Sequence, residues 1–88
     1  MSSSRLVIIG GISGAGASTA IRAFADAGFS TVDNLPVPLL GDFLELTKAS
    51  PKKYRLTAVM PDIKDPTMLG QLLSLLTKLN SPRPELVF

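Results

Sequence analysis

The residues best suited to chemistry sit near the N-terminus, in the stretch "GGISGAGAST" that follows the apolar run "RLVII". Glycine lets a backbone curl against an anion where a Cβ would intrude, and the N–H groups that open a helix turn their positive ends toward it. Between a strand and a helix, such a loop is a cradle for phosphate oxygens. One phosphate-binding spacing is Gly, four residues, Gly, Lys, then Ser or Thr. From Gly11 the chain reads Gly11, Ile12, Ser13, Gly14, Ala15, Gly16, Ala17 and Ser18, followed by Thr19. Gly11, Gly16 and Ser18 satisfy the spacing, and Ala17 puts a methyl group where the lysine belongs. Ser18 is the hydroxyl expected to hold Mg²⁺, with Ser13 and Thr19 as further hydroxyl contacts. Without the lysine, one charge-assisted hydrogen bond to the β- and γ-phosphates is lost, about 1.5–3 kcal/mol or about 10–150-fold in affinity. Phosphoryl transfer suffers more, because that ammonium neutralises charge developing in the transition state. The expectation is weak binding of ATP or GTP with Mg²⁺ and, at most, a weak ATPase or GTPase activity.

A second spacing starts one glycine earlier. Gly10, three residues, Gly14, one residue and Gly16 is the pattern with which short-chain dehydrogenases bind a nicotinamide dinucleotide. Those enzymes favour an acidic residue at the end of the second strand, and Asp33 lies seventeen residues after Gly16. Ala17 costs this alternative nothing. Plainer roles stand beside both. The glycines make a tight turn, Ser18 is an N-cap, Asp33 caps a turn through its side chain, and Asp62 with Asp65 does turn chemistry.

The elements that would position these residues alternate along the chain. Residues 5–9 read as a buried strand, continuous in its apolar character as parallel strands are. Residues 18–27 read as a helix with Ile21 and Phe24 on one face and Gly28 as its stop. Residues 29–33 form a second strand, after which "NLP" turns the chain. Leu39, Leu40, Phe43, Leu44 and Thr47 mark one stripe of a second helix, with Asp42, Glu45 and Lys48 toward water. A third strand spans residues 54–60, and "PDIKDP" is a turn. Leu69, Leu72, Leu73, Leu76 and Leu79 define a third helix, and "ELVF" opens a fourth strand. The fold class is α/β, a β-α-β-α-β-α-β order with a parallel sheet. Residues 1–4 read as a disordered tail. Residues 5–88 read as the N-terminal portion of a nucleotide-binding domain, since such domains generally need five or six strands.

Composition narrows the chemistry. The 88 residues contain no cysteine and no histidine, which removes thiolate nucleophiles, imidazole bases and the commonest zinc ligands from this chain. A net charge of +2 is too small to imply nucleic-acid or membrane binding. The small basic cluster Lys52, Lys53 and Arg55 reads as a solvated loop. No apolar run approaches a membrane span or a secretory signal core, so a cytoplasmic location is expected. An unpaired strand edge and uncovered leucines would favour self-association.

Beyond the loop, "STAIRAFADAG" and "VDNLPVPLL" make residues 11–40 closely similar to the start of the RapZ/YvcJ family of P-loop proteins. The resemblance implies a P-loop fold, nucleotide binding and a bacterial regulatory role as an RNase adapter. It implies RNA binding only through a C-terminal domain that is absent from this chain. It also implies a second nucleotide-contacting segment after the third strand, Asp-Val-Arg-Asn in the family and Asp62, Ile63, Lys64 and Asp65 here. Lys64 keeps the charge but loses the planar fork of arginine, and Asp65 places a negative charge where an amide stands. The alternative within the same resemblance is a degenerate domain that binds no nucleotide and serves as an interaction module. In the nucleotide-binding reading the metal-side residues are Ser18 and Asp33.

Overall fold

The computed structural model describes residues 4–10, 15–78 and 84–87. Along these the elements are β1 (Arg5–Ile9), α1 (Ala15–Asp26), β2 (Ser30–Pro36), α2 (Val37–Ala49), β3 (Leu56–Asp62), α3 (Pro66–Thr77) and β4 (Pro84–Val87). The strands form one sheet in the order β2-β3-β1-β4, every pair parallel. The alternating α/β order and parallel sheet expected from the sequence are what the chain adopts.

The connections decide which helix covers which face. A strand–crossover–parallel strand unit is right-handed in about 98% of cases, so crossovers stepping in opposite directions lie on opposite faces. The β1-to-β2 connection steps two places one way, while β2-to-β3 and β3-to-β4 step the other way. The packing follows this rule. Leu6, Ile8 and Val59 meet Val37, Leu40 and Leu44 of α2 and Leu72 and Leu76 of α3. Val7, Ile9 and Ala58 meet Ala20, Ile21 and Phe24 of α1 on the other face. Alternate residues of β1 thus feed two cores, which is why its sequence is apolar throughout. Ile8 and Ile9 are completely buried, each worth about 1.5–3 kcal/mol relative to exposure.

Several boundaries depart from the sequence reading. Helix α1 begins at Ala15, three residues before Ser18, because Ala15 and Ala17 are strong helix formers and offset the single Gly16. Ser18 is therefore the fourth helical residue and not the N-cap. The "NLP" segment does not turn the chain. Strand β2 continues through it across a register shift between Val32 and Leu35, with Asn34 at φ +54. This bulge lets Val32 and Leu35, three apart, pack on the same core. Strand β3 starts at Leu56 and runs on through Pro61. That residue lies beyond the last β1–β3 pair, Ile8 with Val59, where the ladder continues on the β2 side. The leucine stripes are split as well. Leu39 on α2 is 51% exposed, and Leu69 and Leu73 on α3 are 37% and 41% exposed. Val37 takes a core place that the pattern did not assign it. Leu79 and Phe88 lie outside the described residues.

Gly28 ends α1 as expected, and the geometry shows how. At φ +95 it donates its N–H to the Ala25 carbonyl, and Phe29 N–H reaches back to the Phe24 carbonyl. This pair of bonds is a Schellman cap, and the Phe24 and Phe29 rings meet edge-on at 5.1 Å as its apolar contact. At the start of β1, Arg5 grips Glu85 of β4 in two places, Nε and Nη2 lying 3.0 and 2.9 Å from the carboxylate oxygens. The guanidinium also lies over the Phe29 ring at 5.5 Å.

Two expectations follow from these contacts. Gly28→Ala should destabilise the chain by more than about 1 kcal/mol, because alanine resists a positive φ. Gly70→Ala, mid-helix with open space where a Cβ would sit, should stabilise it by about 0.5–1 kcal/mol in chemical denaturation. The hydrogen bond from Arg5 holds the Glu85 carboxyl below its ordinary range. A lowered folded-state value means that the unfolded chain takes up the proton first as pH falls. The stabilisation is then complete above the ordinary carboxylate range and fades as pH drops through the depressed value. Comparing stability against pH for the parent and Glu85→Gln should show the acid-side difference closing.

Candidate functional site

Strands β1 and β3 are neighbours, and the chain leaves their carboxyl ends toward opposite faces, to α1 after β1 and to α3 after β3. In a parallel sheet this is a topological switch point, where diverging loops open a crevice for a ligand. The pairing of Ile8 with Val59 sets the two strand ends side by side. The strand that leads into the glycine loop and the strand that leads into the segment 62–65, far apart in sequence, therefore end next to one another.

On the β1 side, Gly10 is buried and donates its N–H to the Val87 carbonyl at 2.8 Å, so β1 is held in the sheet up to the loop. Gly11, Ile12, Ser13 and Gly14 lie outside the described residues. Ala15, Gly16, Ala17 and Ser18 form the opening turn of α1, and the N–H groups that open an α-helix have no partner within the helix. Gly16 and Ser18 are exposed, as is Thr19, and Ala17 is half-buried.

On the β3 side each residue of the second segment has a distinct place. Asp62 ends the strand, half-buried. Ile63 packs into the core beneath α2 and α3. Lys64 is 71% exposed and its Nζ lies 3.6 Å from Asp62 Oδ2. Asp65 is the N-cap of α3, its Oδ1 accepting from Met68 N–H at 2.8 Å, with Pro66 opening the helix. The cap gives Asp65 a turn role of its own, one that an asparagine would fill equally well.

Asp33 is exposed on β2, beside Asn34 in the bulge. Strand β3 separates it from β1, so it stands two strand spacings, about 10 Å, from the glycine loop's strand. That order removes the dehydrogenase reading. Dinucleotide folds put the second strand directly against the first, so that its acidic end reaches the adenosine ribose. Nothing in the apolar alternation announces the bulge, and its sequence mark is Asn34, a residue type that tolerates a positive φ. Among the described residues, no three or more His, Cys, Asp or Glu side chains gather to hold a metal ion. Nor is any described helix long and apolar enough to cross a membrane.

Comparison with known proteins agrees with this geometry. The family model of the RapZ-like N-terminal domain matches residues 4–88. A nucleotide-binding protein of Geobacillus kaustophilus is 44% identical over 75 residues, covering 85% of this chain and 25% of the relative. One from Desulforapulum autotrophicum is 41% identical over 90 residues, covering 100% of this chain and 31% of the relative. One from Citrifermentans bemidjiense is 48% identical over 60 residues, covering 68% and 21%. The chain thus spans between about a fifth and a third of the length of these curated relatives. No solved structure matches it.

The cap at Asp65 gives a test of what holds the second segment. Asp65→Ala should cost about 1 kcal/mol of stability. Asp65→Asn should stay within a few tenths of the parent while removing one negative charge from the crevice. Thermal or urea unfolding reads both.

Proposed function

The chain belongs to the RapZ-like N-terminal domain family, and from that premise we propose that it binds the polyphosphate of ATP or GTP, with Mg²⁺, in the crevice between the loops after β1 and β3. The observation that supports this reading is the switch point, where the strands leading into the glycine loop and into the segment 62–65 end side by side. Relatives bearing the name nucleotide-binding protein support it. In this reading the amides of Gly11, Ser13, Gly14, Ala15, Gly16, Ala17 and Ser18 wrap the phosphates, with Ile12 spanning the turn. The Ser18 and Thr19 hydroxyls stand on the metal side.

The donors fit a hard cation. Mg²⁺ takes oxygen ligands, keeps several waters and needs only one or two protein groups besides the phosphates. The exposed Ser18 hydroxyl and the carboxylates of Asp62 and Asp33 at the same sheet edge are donors of that kind. Held by those donors, the ion would neutralise phosphate charge. The protein's own part is to present the N–H groups at the positive end of α1 and to fix the second segment through Ile63 and Asp65.

Ala17 sets the limit of the activity. No ammonium stands in the first turn of α1, so the affinity is modest and turnover minimal. Binding, not hydrolysis, is the function. Isothermal titration of the chain with Mg-ATP and Mg-GTP tests this, and an absence of heat at millimolar nucleotide would refute it. Ala17→Lys should tighten binding about tenfold or more, through a new charge-assisted hydrogen bond.

A further inference from the structure

We propose that the loop between α2 and β3 is a docking surface for a carboxylate-rich segment of a partner protein, gripped by Lys52, Lys53 and Arg55. In a parallel sheet all strands start at one edge, the amino edge, and end at the other, the carboxyl edge. This loop feeds β3 and so lies at the amino edge, away from the crevice described above. Its three cations fall within four residues, and all are exposed. Arg5 binds Glu85, Lys48 lies 3.7 Å from Glu45, and Lys64 lies 3.6 Å from Asp62. Among the described residues, no carboxylate forms an ion pair with Lys52, Lys53 or Arg55. Arg22 and Lys78 lack one too, but each stands singly on its helix.

A charge run is ordinarily a solvated face, and what sets this one apart is its backbone. The carbonyls of three successive residues are each held by a different strand. Ser30 Oγ of β2 donates to the Lys53 carbonyl at 3.4 Å, and buried Thr57 of β3 donates through Oγ1 to the Tyr54 carbonyl at 2.9 Å. Arg5 N–H of β1 donates to the Arg55 carbonyl at 2.8 Å, and Tyr54 N–H reaches the Ser50 carbonyl at 3.1 Å. The Tyr54 ring meets Phe43 of α2 edge-on, with centroids 5.8 Å apart. The cations are thus presented from a fixed platform, and a partner binding them has little backbone to order.

The chemistry favours carboxylates over a nucleic-acid backbone. A guanidinium fork matches a carboxylate in two places, as Arg5 does with Glu85 at the same edge. Nucleic-acid binders combine about 6–10 phosphate contacts with open aromatic faces for the bases. Here three cations surround a half-buried Tyr54, with Phe43 against its ring and Lys53 Nζ 5.3 Å from its centroid.

The test is fluorescence anisotropy with the 88-residue chain and a fluorescein-labelled glutamate-rich peptide, with a labelled oligouridine of equal charge as the second probe. The peptide should bind more tightly than the oligouridine, and less tightly as salt rises. Replacing Lys52, Lys53 and Arg55 together by glutamine should weaken it about tenfold or more. Arg55→Gln alone should weaken it several-fold, while Lys78→Gln, the same loss of charge at a lone exposed lysine, should leave it unchanged. Urea unfolding of these variants should match the parent, because the substituted side chains are exposed. Three results would each overturn the proposal: no peptide binding at low salt, equal losses from Arg55→Gln and Lys78→Gln, or tighter binding of the oligouridine.

Discussion

Because all four strands run the same way, every loop after a strand opens on one edge of the sheet and every loop before a strand on the other. That directionality organises the molecule. It forces each strand-to-strand connection to travel the length of the sheet, which is the work of the three helices. It also buries the sheet on both faces, so that β1 contributes Leu6 and Ile8 to one core and Val7 and Ile9 to the other. With β3 wedged between β1 and β2, the single reversal in connection sense falls between β1 and β3. The crevice is a product of the winding, not of any local motif.

Around that crevice the backbone is tied down by ordinary devices. Gly10 remains in the ladder through Val87, the Schellman cap at Gly28 closes α1, and Asp65 with Pro66 opens α3. Each of these uses a residue type for a backbone reason, and together they leave side chains such as Ser18 and Lys64 exposed at the site.

How much of this was readable in advance depends on whether the signal was local. The alternation of strands and helices, the stop at Gly28 and the parallel sheet follow from apolar runs and glycine placement, all encoded within a few residues. The glycine loop and the segment 62–65 were legible as candidate residues. That β1 and β3, the strands leading into them, lie side by side was not, because strand order is decided by long-range packing that no short window contains. The bulge at Asp33 and Asn34 was hidden for a related reason: its purpose is to restore Leu35 to the core side of Val32, and only the folded sheet defines that side. Leu69 and Leu73 misled in the other direction. They sit at helical spacing with Leu72 and Leu76, yet only that second pair is buried in the core.

The sorting of charges between the two sheet edges has a further result. A net charge of +2 describes a nearly neutral molecule, but among the described residues the amino edge holds Arg5, Lys52, Lys53 and Arg55 with Asp26 and Glu85, and the carboxyl edge holds Asp33, Asp62 and Asp65 with Lys64. The surplus is basic at one edge and acidic at the other, so a charged molecule in solution meets a different field at each.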